Sequence, residues 1–202
     1  MGYTNYHHYH RASISVKDWT TLTNAVKLLV ANLPANSTSA GGYYADAPLK
    51  LDADTVISKD QIAFNGDGED ESGEMLGHET FVLDRSWRKE LKAQIAEEID
   101  RGEPAAANYY KKQLEKKIYG CFTKTERKPY DLLVCAVLAV AQHLFPEWLV
   151  VTSDGDREDW IPACNWASKV TGYDVQVPAG VKPRLGGNEN GAIQVLEDVV
   201  QA

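Results

Sequence analysis

A chain of 202 residues with 44% hydrophobic and 25% charged residues has the proportions of one domain able to bury a core without disulfides or metal. Its net charge of −8 opposes broad, non-specific binding of DNA or RNA, which rests on neutralising many phosphates at once. Cys121, Cys135 and Cys164 form no C-x-x-C pair, no signal-type apolar segment follows the N-terminus, and no apolar run nears the ~18 residues of a membrane span, which predicts a cytoplasmic chain with no membrane partner.

Tyr3 to Tyr9 joins β-forming residues without a turn signal and predicts a strand, with Tyr3, Asn5, His7 and Tyr9 on one face and Thr4, Tyr6, His8 and His10 on the other. Ser15 suits an N-cap, and Trp19, Leu22, Val26, Leu29, Val30 and Leu33 recur at helical spacing until Pro34. Gly41-Gly42 and small polar neighbours mark a loop from Ala35 to Pro48. Thr55–Ile57 and Gln61–Asn65 then read as a hairpin around Ser58-Lys59-Asp60. The acidic stretch Asp67 to Glu74 lacks the ligand spacing of an EF-hand and reads as a solvated loop or lid. His78–Leu83 predicts a third strand, and Trp87, Leu91, Ile95 and Ile99 line one side of a helix that Gly102 ends.

Pro104 suits the first turn of a further helix, whose Tyr110, Leu114 and Ile118 face inward while its lysines face water. Pro129 opens and Pro146 closes an almost wholly apolar helix, Tyr130 to Phe145, which must be buried. Trp148 to Thr152 reads as a buried strand ending at the turn Ser153-Asp154-Gly155, and Trp160 to Thr171 as a last helix stopped by Gly172. The mixed order predicts an α+β fold, a mixed or antiparallel sheet of about five strands packed against about five helices. A single domain over residues 1–172 would precede a tail, 173–202, whose only apolar stretch is Ile193 to Val200.

Four constellations could carry chemistry. Lys124, Arg127 and Lys128 precede the buried helix and, with Thr125 and the free helix N–H groups, suit a phosphate or another anion. The alternative is a solvated charge run whose stems cover apolar surface, and Asp131 could simply favour the helix N-terminus. His78-Glu79-Thr80 at a strand start would turn His78 and Thr80 to one face, the half-site of two-histidine phosphodiesterases. A second copy is missing, because His10-Arg11-Ala12-Ser13 has another spacing, and a histidine hydrogen-bonded at a strand edge reads equally well. His8 and His10 share a strand face and could bind a divalent metal given a third ligand such as His78 or Asp154. Asp154 with Trp160 could present a carboxylate and a stacking ring to a base, or be a plain turn beside a core tryptophan.

Gly2-Tyr3-Thr4-Asn5-Tyr6, Phe64-Asn65-Gly66, His78-Glu79-Thr80-Phe81, the run Lys124 to Asp131 (K-T-E-R-K-P-Y-D) and Ser153-Asp154-Gly155 form an ordered set. It resembles a little-characterised family carried by phages and prophages, whose opening motif reads G-Y-T-H-Y where this chain has Asn5. The resemblance implies a protein of the host cytoplasm that acts on a nucleotide signal of bacterial defence.

On that footing the expected activity is cleavage of a phosphodiester in a small cyclic nucleotide or dinucleotide. His78 would be the general acid or base, tuned by Glu79, while Lys124 and Arg127 stabilise the phosphoryl oxygens. Tyr3, Tyr6 or Trp160 would stack a base, and Thr80, Thr125, Lys128, Tyr130 and Asp154 would bind the rest of the ligand. No cofactor is expected, although a divalent metal is left open. The expected partner is a small nucleotide, with no extended nucleic acid, and a homo-oligomer is left open. The alternative is a protein that sequesters the nucleotide without chemistry; a third reading, an inhibitor using the acidic loop as a nucleic-acid mimic, is weakened by that loop's short length.

Overall fold

Tyr9 on one sheet is bonded to a second: its Oη accepts a hydrogen bond of 2.9 Å from the backbone N–H of Asp84. This contact joins two antiparallel sheets in a computed structural model that describes residues 3–37 and 47–183. The elements run β1 (Thr4–Tyr9), α1 (Val16–Ala31), β2 (Val56–Ile57), β3 (Gln61–Phe64), β4 (Phe81–Asp84) and α2 (Trp87–Asp100). They continue with α3 (Pro104–Leu114), β5 (Tyr119–Lys124), α4 (Asp131–Leu144), β6 (Leu149–Ser153) and α5 (Arg157–Thr171). One sheet has the order β5-β1-β6 and the other β2-β3-β4, so the fold is α+β, with its strands divided between two sheets rather than gathered in one.

Helix α4 lies at the centre because it contains one charged residue, Asp131, and its next ten positions from Leu132 are all buried. It packs on α1, α5 and β6. Each fully buried leucine or valine there contributes ~1.5–3 kcal/mol relative to exposure. Ser15 caps α1, its Oγ accepting from the Asp18 N–H at 3.1 Å. Asp156 and Asp159 form a reciprocal capping box at the start of α5, and Gly172 closes that helix at a φ of 77°.

β1 matches its expected alternation: Asn5, His7 and Tyr9 are buried, while Tyr6 and His8 are half-buried on the other face. The hairpin β2–β3 also forms where expected. Three other expectations need correction. First, β4 starts only at Phe81, so His78 and Thr80 do not alternate along a strand. The Asn65 side chain is the reason: its Oδ1 accepts from the His78 N–H at 3.1 Å and its Nδ2 donates to the His78 carbonyl at 2.9 Å, occupying backbone groups that a ladder would use.

Second, α3 ends at Leu114 and Ile118 lies beyond it, because the Arg88 guanidinium takes the carbonyls of Leu114 and Lys116 at 2.9 and 3.2 Å. The following residues form β5, a strand the lysine-rich run concealed. Gly120 permits it, since a Cβ there would lie 2.9 Å from Nδ1 of His8, its partner across the ladder. Third, Ile99 is exposed, and α2 buries only Trp87 and Leu91 of its expected stripe. Val175 and Val181 of the expected tail belong to the core. The Gly41-Gly42 loop and the Ile193 to Val200 stretch lie outside the described residues.

Candidate functional site

Three segments of the ordered motif set, 3–6, 124–131 and 153–155, meet at one end of the β5-β1-β6 sheet, where they build a buried polar cluster. Asp131 Oδ1 accepts hydrogen bonds from Asn5 Nδ2 at 2.8 Å and Thr125 Oγ1 at 2.6 Å. Ser153 Oγ donates to Asn5 Oδ1 at 2.7 Å and accepts from the Gly155 N–H at 3.0 Å. Gly155 is required there: a Cβ would come within 2.4 Å of the Tyr3 ring and hydroxyl. Burial raises the Asp131 carboxyl to about 6, against the opposing hydrogen bonds from Thr125 and Asn5.

Above this cluster the chain turns from β5 into α4 through Glu126 and Arg127, two non-glycine residues at φ of 51° and 59°. Left-handed backbone at such residues costs ~1–2 kcal/mol each, so surrounding contacts must hold it. The Tyr3 carbonyl accepts from the N–H groups of Thr125 and Glu126 at 3.1 and 3.2 Å. Arg127 makes a two-pronged pair with Asp159, at 2.7 and 2.9 Å, and its guanidinium lies 4.2 Å from the Tyr3 ring centre. The turn therefore sends consecutive side chains in opposite senses. Arg127 is drawn onto the body of the protein, and Glu126 outward.

Glu126 Oε1 stands 3.0 Å from Nε2 of His78, both side chains partly open to solvent at 45% and 31%. The backbones of Glu79 and Lys124 are locked together beside them: the Glu79 N–H donates to the Lys124 carbonyl at 3.2 Å, and the Lys124 N–H donates to Glu79 Oε2 at 2.7 Å. On the adjoining sheet face the Tyr6 hydroxyl donates to Asp154 at 3.2 Å. Burial and the Asp154 carboxylate both raise the Tyr6 phenol above its usual range, so it is a donor.

The sequence candidates thus separate into two groups. His78, Thr80, Lys124 and Asp154 are exposed, and Glu79, Tyr6 and Arg127 are half-buried. Tyr3, Thr125, Lys128, Tyr130 and Trp160 are buried, which corrects their expected contact with a ligand. Tyr3 and Trp160 offer no open ring face for stacking. The Tyr130 hydroxyl donates to the Glu79 carbonyl at 2.7 Å, holding the loop that carries His78. Lys128 Nζ reaches Glu74 at 2.6 Å, which anchors the acidic loop. The Glu79 carboxylate bonds backbone rather than the imidazole, and Glu126 takes the place expected for it.

Sequence reasoning missed Glu126 and Asn65 as partners of His78. The Asn-Gly pair at 65–66 is a turn signal that could have pointed to Asn65, whereas nothing local indicates that Glu126 would adopt left-handed backbone. His7, expected on a polar sheet face, is enclosed between Tyr9 and Phe81, with ring centres at 5.2 and 6.1 Å, and neither ring nitrogen has a partner. Burial lowers its imidazole to about 3. Among the described residues no group of three or more His, Cys, Asp or Glu side chains is placed to hold a metal ion, and no helix is long and apolar enough to cross a membrane. Comparison with protein-family models, with curated proteins and with solved structures gives no match.

Proposed function

We propose that this protein binds a small cyclic nucleotide or dinucleotide beside His78 and cleaves its phosphodiester, a phage-type counter to nucleotide-based defence. The observation that carries this reading is the His78–Glu126 pair at 3.0 Å, held on one side by the Asn65 clamp and on the other by the left-handed turn. A neutral imidazole that donates Nε2–H to Glu126 keeps Nδ1 as an acceptor, able to take a proton from an attacking hydroxyl or water. Lys124 is the neighbouring cation for charge developing on the phosphoryl oxygens. Arg127, with both terminal nitrogens on Asp159, acts as a positioning residue for the turn rather than as a phosphate ligand. The resemblance to a phage family agrees with this reading and supplies its biological setting.

Incubating the protein with a panel of cyclic mononucleotides and cyclic dinucleotides, with chelator present, tests it. Product is expected from the wild type and not from His78→Ala, with Glu126→Gln slowed by ~10²-fold. Unchanged substrates across the panel would remove the reading. The second reading, sequestration without chemistry, uses the same rim with His78 as a hydrogen-bond donor. Heat release separates the two, since a sequestering protein returns its nucleotide intact.

A further inference from the structure

We infer that the outer face of the β5-β1-β6 sheet is a base-stacking platform, with Phe122 and Tyr6 as its aromatic floor and Lys124 at its phosphate end. The inference rests on the nucleotide reading above and names the part of the ligand that the His78 rim does not explain. Phe122 is 57% exposed in the middle of a strand, where packing ordinarily hides an aromatic ring. It stands directly across the ladder from Tyr6, and their ring centres are 6.4 Å apart with planes tilted by 50°. An open antiparallel sheet face carrying neighbouring aromatics is a general solution for nucleobases, because every base has a flat π-face whatever its hydrogen-bonding edge.

The charges along this face match such a ligand. Lys124 lies two residues beyond Phe122 on the same face, ~6.6–6.8 Å along the strand, a distance that a ribose spans between base and phosphate. Across the sheet, Asp154 accepts the Tyr6 hydroxyl at 3.2 Å and keeps carboxylate lone pairs for a sugar hydroxyl or an exocyclic amine. At the other end the His8 imidazole lies over Gly120, its partner across the ladder, and bounds the platform beyond Phe122. Phosphate, sugar and base would then meet Lys124, Asp154 and the Tyr6–Phe122 pair in turn, with the phosphate end nearest the loop of His78.

Equilibrium binding of the cyclic nucleotide panel and of ribose phosphate, which lacks a base, provides the test on the wild type, Phe122→Ala and Phe122→Tyr. Phe122 is exposed, so circular dichroism and thermal melting are expected to match across the three proteins. Phe122→Ala should weaken nucleotide binding about 10-fold or more and leave the weak binding of ribose phosphate unchanged, while Phe122→Tyr restores affinity. Nucleotide affinity that survives Phe122→Ala, or ribose phosphate binding as tightly as nucleotides, would overturn the platform and leave the His78 reading standing. If no nucleotide binds the wild type, the reading under the proposed function falls first and the platform falls with it.

Discussion

Lys124 and Glu126 differ from Thr125, Arg127, Lys128 and Asp131 in almost every physical respect, although all six lie within one short segment. The first two are exposed on the rim that holds His78, and the others are buried or paired with carboxylates of distant elements. A charge that anchors a turn needs a desolvated partner, whereas a charge that meets a ligand must stay accessible. The difference teaches that the polar motifs of this chain are chiefly a scaffold, and that the scaffold leaves a small set of side chains exposed at the rim.

The widest gap between the two halves is expected from Asp131→Ala. It leaves the Asn5 amide and Thr125 hydroxyl without their buried acceptor, and denaturant unfolding should report a loss of ~3–5 kcal/mol. Asp131→Asn, which retains an acceptor oxygen, should lose clearly less. An equal loss in the two variants would show that size rather than hydrogen bonding governs the position.

Arg127→Ala comes next. It frees a buried Asp159 from a guanidinium that is itself 32% exposed, so solvent screening limits the expected loss to about 2 kcal/mol. Arg127→Lys should not restore it, because an ammonium cannot reproduce the two-pronged contact. Full rescue by lysine in thermal melts would break the comparison.

The pH dependence sharpens the comparison from within the core. His7 is held near 3 against an ordinary 6.5, so below pH 6.5 the unfolded chain takes up a proton that the fold refuses, and its contribution falls steadily down to about pH 3. Asp131 and Asp84, both raised to about 6 from 3.8 by burial, act in the opposite sense: the folded chain takes up protons between about pH 6 and 4, and stability rises as pH falls through that window. His7→Leu should therefore unmask a gain in stability on mild acidification. Identical slopes in wild type and variant would show that His7 does not set the acid limb.

The smallest stability effects are expected on the rim. His78→Ala, Glu126→Gln and Lys124→Ala should each change unfolding free energy by no more than about 0.5 kcal/mol, as surface substitutions do. On the proposed function their effect is on turnover or ligand affinity. A large loss of stability in any of them would place the rim with the scaffold.

Much of the fold was legible because local patterns and tertiary demands agreed. Ser15, Gly172 and the unbroken apolar run of α4 each act through neighbours in sequence, so helix positions could be read directly. β5 was not legible, since what ends α3 is Arg88 from another helix and what admits the strand is the space beside His8. The site was half legible for the same reason. The sequence marks His78 and Lys124 as candidates, but Trp160 and Tyr3, aromatic rings it offers to a ligand, belong to the interior.

The sequence by itself determined the α+β class, the helix ends at Ser15 and Gly172 and the buried helix α4, because periodicity, caps and turn residues act over a few positions. Only the tertiary structure decided which charges are spent on other charges and which remain open to water. Hydrogen-bond partners here lie far apart in the chain, 126 positions for Asn5 with Asp131 and 148 for Asn5 with Ser153, and their pairing depends on where the sheets and α4 meet.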